Sequence, residues 1–549
     1  MIRESGSTTH YDLALLTCTE MDLALLALAG DLKAKGKKTL IINLQTDEYG
    51  DPNRYPDEVV ARVLELLKGI PFVGFSVFDM FFNRVVFLIK KTKQTYQDAK
   101  IVLGGVHAEL YPEECISIDE VDAVCVGDGY QALAELIDSW NDREYIELLN
   151  MWVKLDDGAI KKTTKVHFFS NKELDQLPMP DYSFKDYWVL DAKTNKLIKD
   201  IGNYHVTQHQ VGHEQSFVVS FMTGCIHRCS YCNVWAKYQR NITINAVNFP
   251  PCRKKSPARV IDELKEIKKL APRFLVIMDN DFCIRTEEEI KEFSKAYKRD
   301  IFLPFYCMVS PDTISEKKLT ALIEAGLVEL NMGIQTTGKV NRLLYNRPIS
   351  DNQILQVTSM INKYVKLGHI DAFYDFIIFN AAMTRQDLIE MIQLIRKIPE
   401  PFDQVSHHLT LGPEVELYKR FKKEGKIYYR DLQKMYESNF HEFDFDEYIS
   451  FPNFYLNLIL EWMAGRHDDK LVGRLPRNPA EFMLAPPMLE VKKRFRPVYD
   501  SLYSISAEFE GVRDFLLDER VLDKIEFEYS VLKLINNKLP VLIYSNQKR

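Results

Sequence analysis

Three closely spaced cysteines near the middle of the chain constrain its fold and chemistry more than any other feature of the sequence. Cys225, Cys229 and Cys232 follow the spacing C-x3-C-x2-C within residues 224–233, directly after the apolar run 216–221. A short apolar run of this kind predicts a strand, so we expect the cysteines on a loop at its end. Three thiolates on one loop can bind three irons of a [4Fe–4S] cluster and leave the fourth iron open to another ligand.

A Cys-x-x-Cys pair by itself is also typical of zinc knuckles and redox-active dithiols. A structural zinc site requires four ligands. His227 lies within the loop, but the next cysteines along the chain, Cys252 and Cys283, are isolated and form no second pair. The spacing therefore favours the cluster over zinc.

The cysteine loop, including the aromatic Tyr231 before its last cysteine, resembles the radical S-adenosylmethionine (SAM) superfamily. This resemblance implies that the amino and carboxylate groups of SAM bind the open iron. It also implies that an electron from the cluster cleaves SAM to a 5′-deoxyadenosyl radical.

The size and composition of the chain limit its class and its partners. A chain of 549 residues is too long for one ordinary core, so we expect several domains. No apolar run reaches the roughly 20 residues that cross a bilayer, and the N-terminus lacks the layout of a secretory signal. Nine cysteines without paired spacing favour a reducing, cytoplasmic location. A net charge of −7 without a long basic block argues against a nucleic-acid partner.

Residues 1–140 are predicted to form a doubly wound, Rossmann-like (flavodoxin-like) domain. Five short apolar runs alternate with amphipathic stretches, at residues 13–17, 39–43, 72–76, 101–103 and 123–126. Parallel sheets of this kind bind ligands beyond the carboxyl ends of their strands. Ser76 ends the third run, and glycine-containing loops follow the fourth and fifth runs, at residues 104–108 and 127–129.

The two glycine loops resemble the N-terminal cobalamin (B12)-binding domain of the B12-dependent radical SAM family. The resemblance implies that cobalamin contacts Ser76, Gly104, Gly105, Val106, His107, Gly127, Asp128 and Gly129. Other B12 domains carry Asp-x-His-x-x-Gly after the first strand, where the histidine binds cobalt, whereas residues 18–22 read Cys-Thr-Glu-Met-Asp. We therefore expect His107 to contact the loop or the nucleotide tail rather than cobalt. A domain that no longer binds cobalamin is the alternative.

Residues 141–215 are predicted to be a connector, because the proline-punctuated stretch 174–182 resembles the linker of the same family. Three histidines spaced four apart, His205, His209 and His213, would lie on one face of a helix and could bind a metal. Glycines at positions 202 and 212 weaken a helix there, so an extended segment beside the active site is favoured.

Residues 216–425 alternate six strand-like and helix-like segments, which fits the partial (β/α)6 barrel that the radical SAM resemblance implies. Active sites of such barrels lie at the C-terminal ends of the strands. Residues 426–549 lose this alternation and are predicted to form a mostly helical C-terminal domain. The expected fold class is therefore α/β, with a B12-binding domain, a radical SAM barrel and a helical end.

The radical SAM resemblance also implies SAM contacts at the ends of the barrel strands, from Tyr231, Asp279, Asn280, Gly333 and Gln335. Asp279 or Asn280 could instead cap the following helix. The glycine- and proline-rich turn that the family commonly has after the fifth strand is replaced by residues 379–384, where Thr384 is a predicted N-cap. Candidate catalytic residues are His407, His408 and Tyr374. The two histidines point to opposite faces of a strand, and each could equally be a core residue.

Together these resemblances imply a cobalamin-dependent radical SAM methyltransferase that acts on an unactivated carbon through methylcobalamin and a 5′-deoxyadenosyl radical. Its expected cofactors are a [4Fe–4S] cluster, SAM and cobalamin. Its expected partners are a small-molecule or peptide substrate and an electron donor such as flavodoxin or ferredoxin. The alternatives are a radical SAM enzyme that cyclises, contracts or oxidises its substrate, with or without B12, and a non-catalytic iron–sulfur sensor. A methylthiotransferase would need three more clustered cysteines, whereas Cys18, Cys115 and Cys125 are single.

Overall fold

The structure is a computed structural model. It describes residues 10–19, 23–45, 54–141, 148–163, 166–191, 194–200, 215–245, 249–378, 380, 382–409, 411–425, 460, 484 and 496–508. His205, His209 and His213 lie outside the described residues, as does most of the predicted C-terminal domain, from which helix α16 (Arg496–Ser506) is described. No helix in the described ranges is long and apolar enough to cross a membrane.

The first sheet has nine strands. Its parallel centre consists of β1 (Leu13–Thr17), β2 (Thr39–Asn43), β3 (Phe72–Ser76), β4 (Lys100–Gly104) and β5 (Ala123–Cys125). All five residues of β1 and of β3 are buried, as expected for strands that are covered by helices on both faces. The central order β2-β1-β3-β4-β5 is that of flavodoxin-like folds, whose ligand crevice opens between β1 and β3. The predicted domain type is confirmed.

The helices of this domain follow the strands in turn. They are α1 (Leu23–Ala34), α2 (Asp57–Leu67), α3 (Phe82–Thr95), α4 (Val106–Leu110), α5 (Pro112–Ser117) and α6 (Gly129–Ser139), with a short 3-10 helix at Asp79–Phe81. Their apolar faces pack on the sheet; α2, for example, buries Val59, Val60 and Val63.

The segment predicted to be a connector extends the first sheet at both edges instead. It contains β6 (Met151–Lys154), β7 (Ile160–Lys162), α7 (Asn171–Gln176), β8 (Tyr187–Asp191) and β9 (Lys196–Asp200). The strands β6 and β7 pair antiparallel beyond β5, and β8 pairs parallel with β2. The linker around Pro180 lies directly on α1, where a Cβ on Gly30 would collide with the carbonyl of Met179. The first domain therefore uses chain far beyond residue 140.

The second sheet has six parallel strands in sequential order, each paired with the next. They are β10 (Ser216–Val219), β13 (Phe274–Ile277), β14 (Phe305–Val309), β15 (Leu327–Gln335), β16 (Asp371–Ile378) and β17 (Asp403–His408). A small antiparallel pair, β11 (Met222–Gly224) and β12 (Cys252–Lys254), lies after the first of them. This is the predicted partial barrel.

Helices connect the strands of the second sheet and cover its outer face. They are α8 (Asn233–Asn245), α9 (Pro257–Lys268), α10 (Glu287–Asp300), α11 (Glu316–Ala325), α12 (Gly338–Leu343), α13 (Asp351–Lys366), α14 (Arg385–Lys397) and α15 (Glu416–Lys423), with a 3-10 helix at Phe282–Ile284. Hydroxyl side chains begin many of these helices by accepting a backbone N–H. Thr384 does so from Asp387 at 3.2 Å, which confirms its predicted capping role.

The two sheets meet with their carboxyl ends towards each other. Helix α4, which follows β4, packs against α8, which follows the cysteine loop. Two ion pairs join α8 to the helices after β4, Lys237 Nζ to Glu109 Oε1 of α4 at 3.4 Å and Arg240 Nη2 to Glu113 Oε2 of α5 at 2.6 Å. The ligand-binding ends that the sequence predicted in the two domains are therefore neighbours.

Candidate active site

The cysteine loop is held in place by backbone hydrogen bonds at both ends. Gly224 has φ +85, and a Cβ there would collide with the carbonyl of Pro251, so only glycine fits. Cys225 N donates to that same carbonyl at 2.9 Å. At the other end, Cys232 N donates to Cys229 O at 3.1 Å, and α8 begins directly after it.

The three thiols lie in surroundings that disfavour free thiolates. Burial raises the pKa of Cys225 to about 12 and that of Cys229 to about 11, and it also raises the pKa of Cys232. In the described part of the chain, no three His, Cys, Asp or Glu side chains converge on a position for one metal ion. A [4Fe–4S] cluster does not require such convergence, because each thiolate binds a different iron.

A segment after α12 packs against the cysteine loop. Ser230, between two of the cysteines, donates from its backbone N to Tyr345 O at 3.1 Å and from its hydroxyl to Leu344 O at 2.6 Å. The rings of Tyr231 and Tyr345 meet edge to face at 4.8 Å between centroids. Tyr231, a predicted SAM contact within the loop, thus packs on Tyr345, and the same segment brings Arg347 close to Cys229.

Arg347 places a buried cation next to the cysteines. Its side chain is 4% exposed, and Nη2 donates to Ser310 Oγ at 2.8 Å and to Gly333 O at 2.9 Å. Nε and Nη1 are buried and have no hydrogen-bond partner within the described residues. The positive charge partly offsets the effect of burial on the pKa of Cys229. A buried guanidinium with two unused donors is suited to an anionic group such as a carboxylate.

Gly333 and Gln335 are geometrically coupled at the end of β15. The register between β15 and β16 shifts there, and Gln335 adopts φ +70, an uncommon conformation for a residue other than glycine. A Cβ on Gly333 would lie 2.5 Å from Gln335 Nε2 and 3.9 Å from Arg347 Nη1. The structure therefore brings together Gly333 and Gln335, both predicted SAM contacts, with Arg347, which was not among the predicted contacts.

The end of β13 separates the two polar residues that were predicted to face SAM. Asp279 is fully buried and accepts hydrogen bonds from Phe221 N at 2.6 Å and Ser220 Oγ at 3.0 Å, and it also pairs with Arg285 at 3.0 Å. The carboxylate of Asp279 therefore stabilises the fold from within, which contradicts the predicted contact between Asp279 and SAM. Asn280 is exposed and donates to Gly224 O at 3.0 Å, so it remains at the site.

Two exposed apolar side chains that were not predicted as site residues lie at the same end of the barrel. Met278 is 41% exposed and Ile226, inside the cysteine loop, is 45% exposed. Met278 and Asn280 flank the buried Asp279, so alternation along the chain directs both away from the core. The apolar Met278 directly after a buried strand was the sequence signal that could have pointed to it.

His227 fastens the middle of the cysteine loop to two neighbouring strand ends. Its Nε2 lies 3.1 Å from Asp281 Oδ2, and its Nδ1 lies 3.7 Å from Asp312 Oδ2. Asp281 is 1% exposed and also accepts a hydrogen bond from Thr313 Oγ1 at 2.8 Å. Asp281 and Asp312 follow β13 and β14, so this contact ties the loop to both strands.

The candidate catalytic residues fall on different faces of the barrel sheet. His407 is half exposed on the inner face, with Nε2 3.3 Å from Asp375 Oδ1, and Asn331 Nδ2 donates to the same oxygen at 3.2 Å. Tyr374 points the other way; it is 1% exposed and packs on Phe402 at 5.1 Å between ring centroids. Tyr374 is therefore a core residue, which contradicts its candidacy. The side chain of His408 lies outside the described residues.

In the first domain, the loop after β4 leaves an accessible backbone at the crevice. A Cβ on Gly104 would meet one atom within 4 Å, Cys125 Cβ at 3.8 Å. Gly105 has φ +91, and a Cβ there would lie 2.8 Å from Val77 N and 2.9 Å from Ser76 Oγ, so this loop requires glycine. Val106 begins α4 at the same edge. Ser76, Gly104, Gly105 and Val106 thus lie together at this edge, and their contact with cobalamin stays a prediction.

His107 is an internal residue of this loop. It is fully buried, its Nδ1 lies 2.7 Å from Asp79 Oδ1, and its ring stacks between Phe82 and Tyr111 at centroid distances of 4.2 and 4.8 Å. A side chain without exposed surface cannot touch a ligand, which contradicts the predicted cobalamin contact. Asp79 Oδ2 would lie 3.6 Å from a Cβ on Gly412, so this cluster reaches the barrel domain.

The loop after β5 is occupied mainly by protein contacts. A Cβ on Gly127 would lie 2.7 Å from the side chain of Asn150. Asp128 accepts hydrogen bonds from both terminal nitrogens of Arg253, one of them at 3.2 Å, and from Phe169 N at 2.7 Å. The carboxylate therefore joins the two domains, which contradicts a cobalamin contact through it. Gly129 begins α6 at the same edge of the sheet.

Comparison with known families assigns both domains. Residues 15–137 match the model of the B12 binding domain, and residues 219–395 match that of the radical SAM superfamily. The chain is a radical SAM enzyme with a B12-binding domain. Its cofactors are a [4Fe–4S] cluster, SAM and cobalamin.

Individual proteins similar to this cobalamin-dependent radical SAM enzyme include named methyltransferases. The chain is 21% identical over 416 residues to cytidylyl-2-hydroxyethylphosphonate methyltransferase of Streptomyces wedmorensis, covering 68% of this chain and 71% of that protein. Its fold is shared with the radical SAM methyltransferase TsrM from Kitasatospora setae, with TM-score 0.57 and 13% identity over 95% of this chain and all of TsrM. It is also shared with the cobalamin-dependent radical SAM enzyme OxsB, with TM-score 0.56 and 14% identity over 96% and 80% of the two chains.

The described residues fit all three cofactors of the enzyme. The cysteine loop presents three thiols for three irons, and the unused donors of Arg347 match the carboxylate of SAM. The open backbone at Gly104 lies at the carboxyl end of β4, and flavodoxin-like sheets bind their cofactors beyond the carboxyl ends of the strands.

Proposed function

We propose that this cobalamin-dependent radical SAM enzyme is a C-methyltransferase that methylates an unactivated carbon of its substrate. The observation that carries the proposal is the apposition of the two cofactor-binding ends. Tyr111, next to the β4 loop, accepts a hydrogen bond from Glu414 N at 3.3 Å and would lie 3.3 Å from a Cβ on Gly412. Such a Cβ would also lie 3.1 Å from Asn233, which adjoins Cys232. Methyltransferases among the similar proteins support the same activity.

Two cofactors are needed for a simple chemical reason. When bound, the cluster and SAM supply a 5′-deoxyadenosyl radical, and cobalamin supplies a methyl group taken from a second SAM. An unactivated carbon has no electron pair with which to attack the methyl of SAM, so a hydrogen atom must be removed first. A protein for this reaction must hold the cobalamin crevice and the cluster loop next to each other, as these two domains do.

The residues around the cysteine loop bind and orient SAM in this proposal. Arg347 holds the carboxylate through Nε and Nη1, the two donors left unused within the described residues. Gln335, fixed in its unusual backbone conformation, and Asn280 offer amide groups to the remaining polar atoms of SAM. Met278 and Ile226 cover the site and exclude water from it. Water exclusion matters because a primary radical would otherwise react outside its substrate.

In this proposal, substrate is bound by three polar side chains on the inner face of the barrel, Asn331, Asp375 and His407. Asn331 orients Asp375, and Asp375 in turn contacts His407, which is 56% exposed at its side chain. His407 can therefore donate a hydrogen bond to a polar group of the substrate or accept its proton, while Asp375 fixes the ring. Neighbouring Phe373 lies on the same face, by alternation with Tyr374.

The test uses SAM that carries a trideuterated methyl group, and it needs no substrate. With a low-potential reductant present throughout, so that cobalamin can accept a methyl group, we expect S-adenosylhomocysteine in an amount close to that of the enzyme. The labelled methyl should be retained by protein-bound cobalamin in both the wild type and Cys229→Ala. Only the wild type should also form 5′-deoxyadenosine under these conditions. Failure of the wild type to retain the label would refute methyl transfer.

A radical SAM outcome without methylation is the second candidate, favoured by the shared fold of OxsB, which is named only as a cobalamin-dependent SAM radical enzyme. It is distinguished by the same experiment. Such an enzyme would form 5′-deoxyadenosine without any S-adenosylhomocysteine.

A further inference from the structure

A basic surface lies directly beside the cysteine loop. Helix α15 buries Leu417, Tyr418 and Phe421 against the barrel and exposes its other face. We define the basic face as the exposed side chains Lys419, Arg420, Lys422 and Lys423 of α15, together with Arg342 at the end of α12.

The basic face is linked to the cluster ligands through short hydrogen-bonded steps. Leu417 N, in the first turn of α15, donates to Ser230 O at 2.8 Å, and Ser230 adjoins Cys229. Arg420 Nη1 donates to Leu343 O at 3.4 Å. The next carbonyl, that of Leu344, accepts from Ser230 Oγ at 2.6 Å. A protein bound at this surface is therefore separated from a cysteine of the cluster by one turn of chain and one hydrogen bond.

The basic face surrounds an unusually exposed apolar residue. Leu343 is 72% exposed, between Arg342 and the contact with Arg420. An exposed apolar side chain with a charged rim is typical of a protein–protein contact surface.

The charge of this surface is opposite to that of the whole chain. The chain has a net charge of −7, whereas five basic side chains gather here. Two of them are partly offset by acidic neighbours, because Lys419 pairs with Glu414 at 2.7 Å and Arg420 pairs with Glu424 at 2.9 Å. Both pairs are solvent-exposed and therefore weak. Lys422, Lys423 and Arg342 leave a local positive excess, which Glu416 reduces only in part.

We propose that the basic face and Leu343 form the docking surface for an acidic one-electron carrier protein that reduces the cluster. This inference rests on the proposed radical SAM function, which consumes one electron for each SAM cleaved. One electron leaves the reduced carrier, which is thereby oxidised, and enters the cluster, which is reduced by one electron; no atom is transferred. Electron-transfer complexes are small and transient, so a single helix with one apolar centre is sufficient. Opposite charge speeds their encounter and makes the rate dependent on salt.

The test follows cluster reduction in the anaerobic, cluster-loaded full-length enzyme, with fully reduced acidic flavodoxin as the probe. We compare the wild type with the double variant Lys422→Glu/Lys423→Glu by stopped-flow absorbance. The expected result is a bimolecular rate at least about tenfold lower in the variant at low ionic strength. The difference should shrink towards zero at about 1 M salt, where charges are screened within about 3 Å. The matched control is Lys265→Glu/Lys269→Glu, in the last turn of α9 and directly after it, where the two lysine side chains are 46% and 69% exposed.

Two further measurements separate docking from damage. Reduction by dithionite, a small reductant that needs no docking surface, should be equal in the wild type and both variants. Zero-length cross-linking of wild-type enzyme to flavodoxin should join flavodoxin carboxylates to Lys422 or Lys423, which requires no variant. The proposed docking surface would be overturned if flavodoxin reduced the Lys422→Glu/Lys423→Glu enzyme at the wild-type rate. It would also be overturned if cross-links formed only at other lysines. Loss of dithionite-driven SAM cleavage in the wild type would instead overturn the radical SAM function itself.

Discussion

Removing the cation of Arg347 should weaken SAM binding more than any other single change outside the cysteines. In Arg347→Gln the site loses a buried positive charge and the two donors, Nε and Nη1, that have no partner within the described residues. Hydrogen bonds to charged groups contribute about 1.5–3 kcal/mol each, and part of that is recovered by water in the variant. A net loss of about 3 kcal/mol corresponds to a dissociation constant for SAM on the order of 100-fold higher.

The structure also predicts the behaviour of a conservative change at this position. Arg347→Lys keeps the charge but cannot make the two-pronged contact, so its dissociation constant should fall between those of the wild type and Arg347→Gln. The contacts of Nη2 with Ser310 and Gly333 would be lost in both variants, so the difference between them reports mainly on charge. The matched control is Arg342→Gln, an exposed arginine on the adjacent helix.

The assay is calorimetric titration of the cluster-loaded enzyme with SAM under anaerobic conditions, with iron content and melting temperature measured on each variant. In a variant with its full iron content and an unchanged melting temperature, any change in the dissociation constant reports on SAM binding alone. Wild-type affinity in such an Arg347→Gln enzyme would refute the assignment of Arg347 to the carboxylate of SAM.

Three other predictions follow from the contacts. Gly105→Ala should lower the free energy of unfolding by at least about 1–2 kcal/mol, because φ +91 strains a residue other than glycine and the Cβ would collide with Val77, and it should reduce bound cobalamin. Gly104→Ala, whose Cβ would make one ordinary contact with Cys125, should keep the melting temperature. Asp128→Asn should lower the free energy of unfolding by about 3 kcal/mol, because it leaves Arg253 buried without its carboxylate partner. The cobalamin content of this variant should stay unchanged. A variant that loses cobalamin but keeps the stability of the wild type would contradict the domain-joining role of Asp128. Tyr374→Phe should still form product. His407→Gln should form no product, although it should still form 5′-deoxyadenosine when substrate is absent. Equal turnover of the two variants would exclude His407 from the substrate site.

The arrangement of strands was largely predictable because buried strands have a recognisable sequence pattern. Parallel strands covered on both faces, such as Leu13–Thr17 and Phe72–Ser76, are short continuous apolar runs. Among the four strands that extend the first sheet, β6 and β8 do carry buried apolar residues but lie in the stretch that was predicted to be a connector, whereas β7 and β9 were missed because they lack this pattern. All three residues of Ile160–Lys162 are exposed, and Lys196–Asp200 alternates only weakly, so neither segment carries an apolar signature.

The candidate site was predictable in position but only partly in the roles of its residues. Asp279, Asp128 and His107 all follow buried strands, where a polar side chain can either face a ligand or brace the fold. Which of the two it does depends on partners that are distant in sequence: Asp279 binds the backbone of Phe221, and Asp128 binds Arg253. Arg347 was not among the predicted SAM contacts for the same reason, since its proximity to the cysteines depends on the packing of residues 344 and 345 against Ser230.

The central claim is that one chain holds cobalamin and a [4Fe–4S] cluster side by side. Its most direct test is to purify the enzyme anaerobically from cobalamin-fed cells, desalt it extensively, and measure cobalamin and iron on the same sample. We predict about one cobalamin and about four irons per chain. A sample with its full iron and no cobalamin would contradict the account and leave a radical SAM enzyme whose first domain binds nothing.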